Sequence, residues 1–481
     1  MTETGNDSLY VSPLTTRFAT EPMLRNFSSL KKFRTWRRIW IALAEAEKEL
    51  GLPITDAQIA ELRAHSDDIN FDAANAYEKR FRHDVMAHVH AYGDQCPAAR
   101  PIIHLGATSC EIGDNADVLI LRDGLLILRI KLVNVMDRLA AFAEEHASLP
   151  TLGWTHYQPA QLTTVGKRAC LWLQDLAMDL DELEARIADL KLRGIKGTTG
   201  TQASFLELFD GDHDKVLELE RRVALKLGFD VCFPITGQTY TRKVDSQILA
   251  ALSGIGQSAH KFANDMRLLC NLRELEEPFG ESQIGSSAMA YKRNPMRCER
   301  LTGLARFLIN LQPNAAFTAA SQWLERTLDD SANRRLSLSE AFLTADAVLN
   351  LVLNVVSGIV VRPKMIARNV AREMPFMATE AILMAGVKAG GDRQELHEDI
   401  RRHSLAAAEA LRNGTETNDL LDRIAGDPSF AAVRAALPGL TDPMRFVGRC
   451  PEQVVAFLRD VIAPIREKYR DCLGLSATLH V

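Results

Sequence analysis

The chain has 481 residues, of which 47% are hydrophobic and 25% charged, and its formal net charge is -5. This balance is typical of a globular protein, whereas a general nucleic-acid or membrane-surface binder is usually more basic. No apolar run reaches the roughly 18 residues that span a bilayer, and the N-terminus lacks a signal-peptide layout. The eight cysteines include no CxxC pair. We therefore expect a cytoplasmic protein with reduced thiols rather than a disulfide framework or a zinc site.

Residues 1–111 carry short helical patterns separated by loops, which predict an N-terminal helical domain. The segment RHDVMAHVH contains His83, His88 and His90. Their spacings do not place two imidazoles on one helix face, and HExxH is absent, so the pattern disfavours a metal site. Solvated or core histidines are the simpler interpretation.

Five long helices are predicted over residues 112–364, which we interpret as a central bundle domain. Three have apolar residues at alternating spacings of four and three, which put a stripe on one helix face. They run from Leu121 to Phe142, from Val165 to Leu190 and from Ile248 to Leu269. Two more are predicted from Pro295 to about Phe317 and from Ser331 to about Val356. Five such helices form a rod, whose apolar faces other copies of the chain could cover economically.

After residue 364 the helical patterns shorten and charge rises, which predicts a C-terminal helical domain over residues 365–481. No strand-turn-strand series is evident. The predicted fold class is therefore all-α, with three helical domains.

Polar residues cluster in the breaks between the long helices. Thr108 and Ser109 precede the first helix, where hydroxyl and N–H groups bind an anion or simply cap the helix. His156 lies in a loop that opens the second helix, where an imidazole moves protons near neutral pH or is merely a surface side chain. Gln238 precedes the third helix.

The segment QWLERTLDDSANRR contains Arg326, Ser331 and Arg335, and the last two share one helix face. A hydroxyl with two guanidinium groups suits a phosphate or a carboxylate. The alternative is an exposed charged helix whose arginines pair with Asp329 and Asp330. The spacing alone leaves both interpretations open.

The loop GESQIGSSAMAYKRNPMRCER is small, polar and cationic. Asn294 and Pro295 predict a helix start, with Asn as the cap and Pro in the first turn. Lys292 then lies beside the positive end of that helix, and Gly280 and Gly285 are expected to let the loop act as a lid. The alternative is a simple surface loop. Together, the polar breaks predict one site for a polyanionic substrate, to which several chains contribute.

Part of this loop fits the pattern G-S-x-x-M-x-x-K-x-N, through Gly285, Ser286, Met289, Lys292 and Asn294. The chain therefore resembles the fumarase/aspartase superfamily of lyases. The segments RHDVMAH, HLGATS, THYQPAQLTTVGKR, TGQTY and ERTLDDSANRR resemble the adenylosuccinate lyase family, in its animal-type branch. The resemblance covers nearly the whole chain. It implies an all-α homotetramer with a twenty-helix core and four active sites, each drawn from three subunits.

The resemblance also implies roles for individual residues. It makes His156 and Ser286 the acid–base pair, and His83 would orient or charge-balance the site beside Arg82 and Asp84. The residues that it places on the succinyl carboxylates are Thr108, Ser109, Gln238, Lys292 and Asn294. Those that it places on or around a nucleotide phosphate are Arg17, Phe18, Arg300, Arg326, Ser331 and Arg335.

Two positions depart from the pattern of the family. Ala290 stands where the signature usually has proline, so the lid is expected to be looser. Phe18 stands where the animal-type enzymes carry a tyrosine, so one hydroxyl contact to phosphate is expected to be missing.

The implied reaction is β-elimination of fumarate from adenylosuccinate and from SAICAR, with no metal or organic cofactor. One alternative is another lyase of the superfamily, such as argininosuccinate lyase, and the phosphate-directed pair of Ser331 and Arg335 weighs against it. The other is a non-catalytic scaffold on the same bundle, as some lens crystallins are. The presence of His156, Ser286 and Lys292 weighs against a scaffold.

Overall fold

The computed structural model describes residues 9–280, 283–477 and 479, and the regular structure in them is mostly helical. The N-terminal part begins with a π-helical turn, Leu14–Phe18. Five helices follow: α1 (Glu21–Asn26), α2 (Ser29–Glu49), α3 (Asp56–Ala64), α4 (Phe71–Phe81) and α5 (Asp84–Gln95). Helix α2 buries Trp36, Ile39 and Trp40, so it joins this part to the main core.

The long helices predicted in the central region are confirmed. The helices of this region are α6 (Ser109–Glu145), α7 (Val165–Asp189), α8 (Ala203–Leu208), α9 (His213–Lys226), α10 (Lys243–Asn271), α11 (Met296–Ala320) and α12 (Asp329–Val356). Helix α10 packs against α7, α11 and α12, and α6 packs against α7 and α12. The predicted apolar stripes face inward: Leu125, Leu128 and Leu132 of α6 are fully buried, as is Leu252 of α10.

A β-hairpin joins α6 to α7, which contradicts the expectation that no strand-turn-strand unit is present. Strand β1 (Pro150–Thr155) pairs antiparallel with β2 (Gln158–Thr164). The two residues between them, His156 and Tyr157, have φ of 53° and 55°. Positive φ at both central positions is what a type I′ hairpin turn requires. The loop predicted to open the second long helix is therefore the tip of a hairpin.

Shorter elements complete the fold. Strand β3 (Leu275–Glu276) pairs antiparallel with β4 (Val360–Val361), so the ends of α10 and α12 are joined. The C-terminal helices are α13 (Pro363–Met377), α14 (Thr379–Lys388), α15 (Arg393–Arg412), α16 (Leu420–Gly426), α17 (Leu437–Leu440), α18 (Cys450–Phe457) and α19 (Ala463–Lys468).

Helix α12 is an exception to the prediction that no segment is apolar enough to span a membrane. By length and composition alone it is able to cross one, but 78% of its most apolar window is buried inside the protein. Such burial is typical of a core helix in a bundle.

Buried ion pairs fix α6, α10 and α12 to one another. The Arg242 guanidinium donates to Asp114 on α6 at 3.1 Å and to Asp330 on α12 at 2.7 Å. Arg334 of α12 donates to Asp245 of α10 at 2.7 Å. Breaking one partner of a buried pair leaves an uncompensated charge, so these pairs strongly favour one relative position of the three helices. They set the first two turns of α12 beside the start of α6.

Candidate active site

A cavity of about 700 Å³ lies among the ends of α2, α5, α6 and α12. Half of the predicted site residues line it: His83, Asp84, Thr108, Ser109, Gln238, Arg326, Ser331 and Arg335. They come from distant parts of the chain, and the fold brings these eight together in one cavity.

The wall that carries Thr108 is held by one carboxylate. Glu111, which is fully buried, accepts the N–H of Thr108 at 2.6 Å and the N–H of Gly197 at 2.6 Å. The interpretation of this segment as a helix cap is therefore correct for the backbone of Thr108.

Gln238 is positioned by backbone contacts in the segments around it. Its N–H donates to the carbonyl of Glu325 at 3.0 Å. The turn at Gly200 supports this segment, because a Cβ there would lie 1.9 Å from the carbonyl oxygen of Thr236. Only glycine fits such a close backbone approach, particularly at a φ of +82°.

The three histidines of the N-terminal segment have different environments. His83 caps α5, since its Nδ1 accepts the N–H of Met86 at 3.3 Å. In the neutral ring the proton is therefore on Nε2, which lies 3.3 Å from Ser109 Oγ. His88 is buried against Phe33, with ring centroids 3.7 Å apart, and burial lowers its pKa to about 4. Of these histidines, only His83 lines the cavity.

The cationic wall of the cavity comes from the segment before α12 and from its first turns. The Arg335 guanidinium donates to Asp84 at 3.2 Å, whereas the alternative interpretation paired it with Asp329 or Asp330. Arg326 contacts the thiol of Cys110 and lies 3.6 Å from Asp330. Burial raises the pKa of the Cys110 thiol to about 11, so this group is neutral at physiological pH.

Three predicted phosphate residues lie elsewhere, near the N-terminal π-helical turn. The Arg300 guanidinium lies 6.0 Å from the ring centroid of Phe18. Burial, followed by the charge of Arg17, lowers the pKa of Arg300. The two arginines and the ring of Phe18 thus form one cluster, and none of the three residues lines the cavity.

The predicted lid loop has defined internal contacts, although Glu281 and Ser282 lie outside the described residues. Asn294 does not cap a helix as predicted: α11 begins at Met296, and the Asn294 amide donates to the carbonyl of Gly285 at 2.7 Å. A Cβ on Gly285 would lie 2.1 Å from the carbonyl oxygen of Lys292, so this glycine permits a close approach. The Lys292 side chain is exposed.

The hydroxyl of Ser286 accepts hydrogen bonds from backbone N–H groups of the same loop. The N–H groups of Ala288 and Met289 donate to Ser286 Oγ at 3.4 and 3.2 Å. Two donors directed at one hydroxyl oxygen favour a negative charge on it.

His156 and Arg82 also lie outside the cavity wall. His156 is exposed at the tip of the hairpin, and Arg82 is exposed at the end of α4 with a φ of 56°. In one protomer, therefore, the cavity contains neither member of the predicted acid–base pair.

Three cavity-lining cations were not predicted: Lys32, Arg242 and Arg334. Lys32 lies in the charged run SLKKFRTWRR, which is typical of a solvated helix face. A second cavity, of about 370 Å³, is lined by apolar residues of α13 and by Pro150, and it contains none of the predicted residues. In the described part of the chain, no group of three or more His, Cys, Asp or Glu residues is arranged to hold a metal ion.

Comparisons with known proteins identify relatives of the whole chain. A protein-family model described as "Lyase" matches residues 19–309, and one described as "Adenylosuccinate lyase C-terminus" matches residues 375–457. The chain is 55% identical to adenylosuccinate lyase of Saccharomyces cerevisiae, over 94% of each chain. It is 48% identical to that of Schistosoma mansoni, over 98% of this chain and 99% of the relative.

Solved structures extend the likeness to the fold. The 3-carboxy-cis,cis-muconate lactonizing enzyme of Pseudomonas putida superposes with a TM-score of 0.81 at 22% identity, over 94% of this chain and 98% of that one. A fumarate lyase from Mesorhizobium sp. BNC1 gives a TM-score of 0.78 at 24% identity, over 94% of this chain and 100% of that one.

Proposed function

The chain belongs to the adenylosuccinate lyase family, and we propose that it eliminates fumarate from adenylosuccinate, giving AMP, and from SAICAR, giving AICAR. The observation that carries this proposal is the cavity. Its volume of about 700 Å³ suits a ligand of nucleotide size. Its wall combines hydroxyl, amide and guanidinium groups, which suit phosphate and carboxylate together.

The direct test is fumarate release by the purified protein. With adenylosuccinate, we expect the substrate absorbance to fall while fumarate appears in equal amount. Argininosuccinate serves as the control substrate, since it lacks the purine and the phosphate. Turnover of argininosuccinate alone would support the other lyase, and no turnover of either substrate would support a scaffold.

We assign the phosphate to Arg326, Ser331 and Arg335. The hydroxyl of Ser331 and the guanidinium of Arg335 are one turn apart on α12, so both reach one phosphate group. Arg17, Phe18 and Arg300 would complete this end of the site from another subunit, with Phe18 lacking the hydroxyl of a tyrosine.

Arg335→Leu is expected to raise KM for phosphorylated substrates. A charge-assisted hydrogen bond contributes roughly 1.5–3 kcal/mol, so kcat/KM should fall about ten- to a hundred-fold. Steady-state kinetics with adenylosuccinate and with its dephosphorylated nucleoside measure this. The variant and the wild type should act equally on the nucleoside. A wild type without preference for the phosphorylated form would mean that the phosphate binds elsewhere.

The chemistry requires stabilisation of a carbanion. A proton leaves the carbon next to a carboxylate, and the charge spreads into that carboxylate as a dianionic aci-form. Lys292 supplies positive charge for it, the N-terminus of α11 supplies a partial positive charge, and the Asn294 amide has a second N–H to donate, with Thr108, Ser109 and Gln238 on the carboxylates.

Ser286 is the base in this proposal, and His156 protonates the leaving nitrogen. A serine hydroxyl is a weak base unless its alkoxide is stabilised, and the two N–H groups directed at Ser286 Oγ support that stabilisation. Closure of the loop would exclude water and strengthen these interactions. His83, between Ser109 and α5, would orient the site beside Arg82 and Asp84.

A homotetramer completes the site. The acid–base pair lies outside the cavity of its own protomer, and large apolar side chains around α11 and α12 are exposed in the single chain. These exposed residues are Phe317, Trp323, Leu324, Leu328 and Leu336. Contiguous exposed apolar surface is typical of an interface. Five long helices from each of four chains would form a twenty-helix core, with each site drawn from three subunits.

The domain boundaries and the location of the protein also belong to this proposal. We divide the chain into an N-terminal domain over residues 1–111, a bundle domain over residues 112–364 and a C-terminal domain over residues 365–481. We also propose a cytoplasmic location, which is consistent with all eight cysteines being free.

Ala290→Pro is expected to stabilise the protein without a large change in kinetics. Proline restricts the unfolded chain and contributes roughly 0.4–1 kcal/mol where the backbone accepts it. Among the described residues, no acceptor is found for the Ala290 N–H, so proline removes no hydrogen bond. Urea unfolding and steady-state kinetics test this. The contrast is Ala288→Pro, which removes a donor to Ser286 Oγ. Inactivation by Ala290→Pro would show that the loop backbone differs from that of the family.

A further inference from the structure

We propose that Lys32 of α2 is a further ligand of the substrate phosphate, acting with Ser331 and Arg335. This assignment rests on the proposed function and adds a residue to its phosphate end. Lys32 lines the cavity, as do Ser331 and Arg335, but it comes from a different helix. The phosphate would then lie between α2 and α12.

The other cations of the cavity wall have carboxylate partners. Arg242 pairs with Asp114 and Asp330, Arg334 pairs with Asp117 at 2.9 Å and with Asp245, and Arg335 pairs with Asp84. For Lys32, no ion pair and no hydrogen bond of Nζ is found among the described residues. Among the described residues this half-buried ammonium contacts two aromatic rings but no anion, so a bound anion would replace hydration that it has lost.

Two of the carboxylates near Lys32, those of Asp117 and Asp84, already have arginine partners. Burial lowers the pKa of Lys32, and the charges of Asp117, Asp84 and Glu78 act in the opposite direction. Asp117 and Asp84 are held by Arg334 and Arg335, as described above. Lys32 and Arg335 both line the cavity, and the charge of Arg335 also lowers the pKa of Lys32, so the two cations repel each other. An anion between them would remove this repulsion, and a phosphate dianion offers an oxygen to each.

Two aromatic rings hold the lysine in place. Its Nζ lies 4.9 Å from the ring centroid of Trp36 and 5.5 Å from that of Phe33. The ammonium therefore lies over the two rings at the wall of the cavity. Such a position is fixed before the substrate arrives, so little side-chain freedom is lost on binding.

The test uses the full-length protein with Lys32→Met and Lys32→Arg. Methionine keeps the packing on the two rings and removes the charge, whereas arginine restores the charge. Lys31→Met is the matched control, since Lys31 is the neighbouring lysine on α2 and pairs with Asp123 at 2.8 Å. The readouts are kcat and KM for adenylosuccinate, and inhibition constants for AMP and for adenosine.

We expect Lys32→Met to raise KM and the AMP inhibition constant by about ten- to a hundred-fold, with kcat and the adenosine constant nearly unchanged. Lys32→Arg should recover most of the AMP affinity, and Lys31→Met should resemble the wild type. If the binding of AMP and the binding of adenosine weaken equally, the assignment is overturned in favour of a structural role. An unchanged AMP constant would overturn it as well.

Two controls keep this result separate from other failures. If Lys32→Met does not fold, Lys32→Gln replaces it, with circular dichroism to establish the fold. If the wild type releases no fumarate from adenylosuccinate, the proposed function fails by itself. Calorimetry with AMP and with inorganic phosphate, on wild type and variant, then still decides whether Lys32 binds phosphate.

Discussion

Ser286→Ala should retain the fold and bind substrate but lose turnover by roughly 10²–10⁴-fold, the range that a positioned general base contributes. The side chain lies in a loop outside the core, so its truncation leaves the packing of the bundle intact. Only the proton acceptor and its two backbone donors are affected. Single-turnover kinetics with adenylosuccinate would show this as a slow chemical step with a nearly unchanged binding constant.

Ser287→Ala is the matched control for this loss. The two serines are adjacent in the same loop, but the backbone donors are directed at the oxygen of Ser286. We therefore expect Ser287→Ala to remain active. A Ser286→Ala enzyme with a near-wild-type rate would refute the assignment of the base, whatever Ser287→Ala does.

The long helices could be predicted from the sequence because their signal is local. An apolar stripe from Ile248 to Leu269 predicts a helix, and α10 spans Lys243–Asn271. Each stripe is read from neighbours three and four positions apart, and burial of that stripe is the main source of stability for such a helix.

The hairpin could not be predicted in the same way. Its two strands are short, and the turn residues His156 and Tyr157 adopt positive φ without the Asn-Gly or Asp-Gly signal that usually marks such a turn. The tertiary fit of β1 and β2 against their surroundings fixes the turn, and spacing along the chain contains no information on that fit.

In the candidate site, too, local patterns predict some features, and the tertiary contacts determine the others. The residue types and the family pattern predict which side chains carry charge or hydroxyl groups, and eight of them meet in one cavity. The partners that hold them are distant in sequence: Arg242 and Asp114 are 128 residues apart. The sequence predicts that Asn294 caps α11, but its side-chain amide donates a hydrogen bond to the carbonyl of Gly285 instead. Such long-range pairings depend on the folded arrangement, which no local pattern encodes.

Two inactive tetramers, one carrying His156→Ala and the other Ser286→Ala, should regain activity when they are dissociated and reassembled together. His156 lies at the tip of the hairpin and Ser286 in the loop before α11, and neither lines the cavity of its own protomer. In the proposed tetramer, the two reach one site from different chains. At equal mixing, a site takes its histidine from an intact chain about half the time and its serine likewise, so about a quarter of wild-type activity should return.

The control for this recovery is a mixture of the His156→Ala protein with a chain that carries both substitutions. No chain in that mixture has an intact His156, so no site regains the acid, and reassembly by itself should restore nothing. Native mass spectrometry establishes that mixed tetramers have formed. If both residues served a site from one chain, every site would keep one defect. Mixed tetramers of the two single variants that stay inactive would therefore refute the shared site, because random assembly would unite an intact His156 with an intact Ser286 in about a quarter of the sites if they came from different subunits.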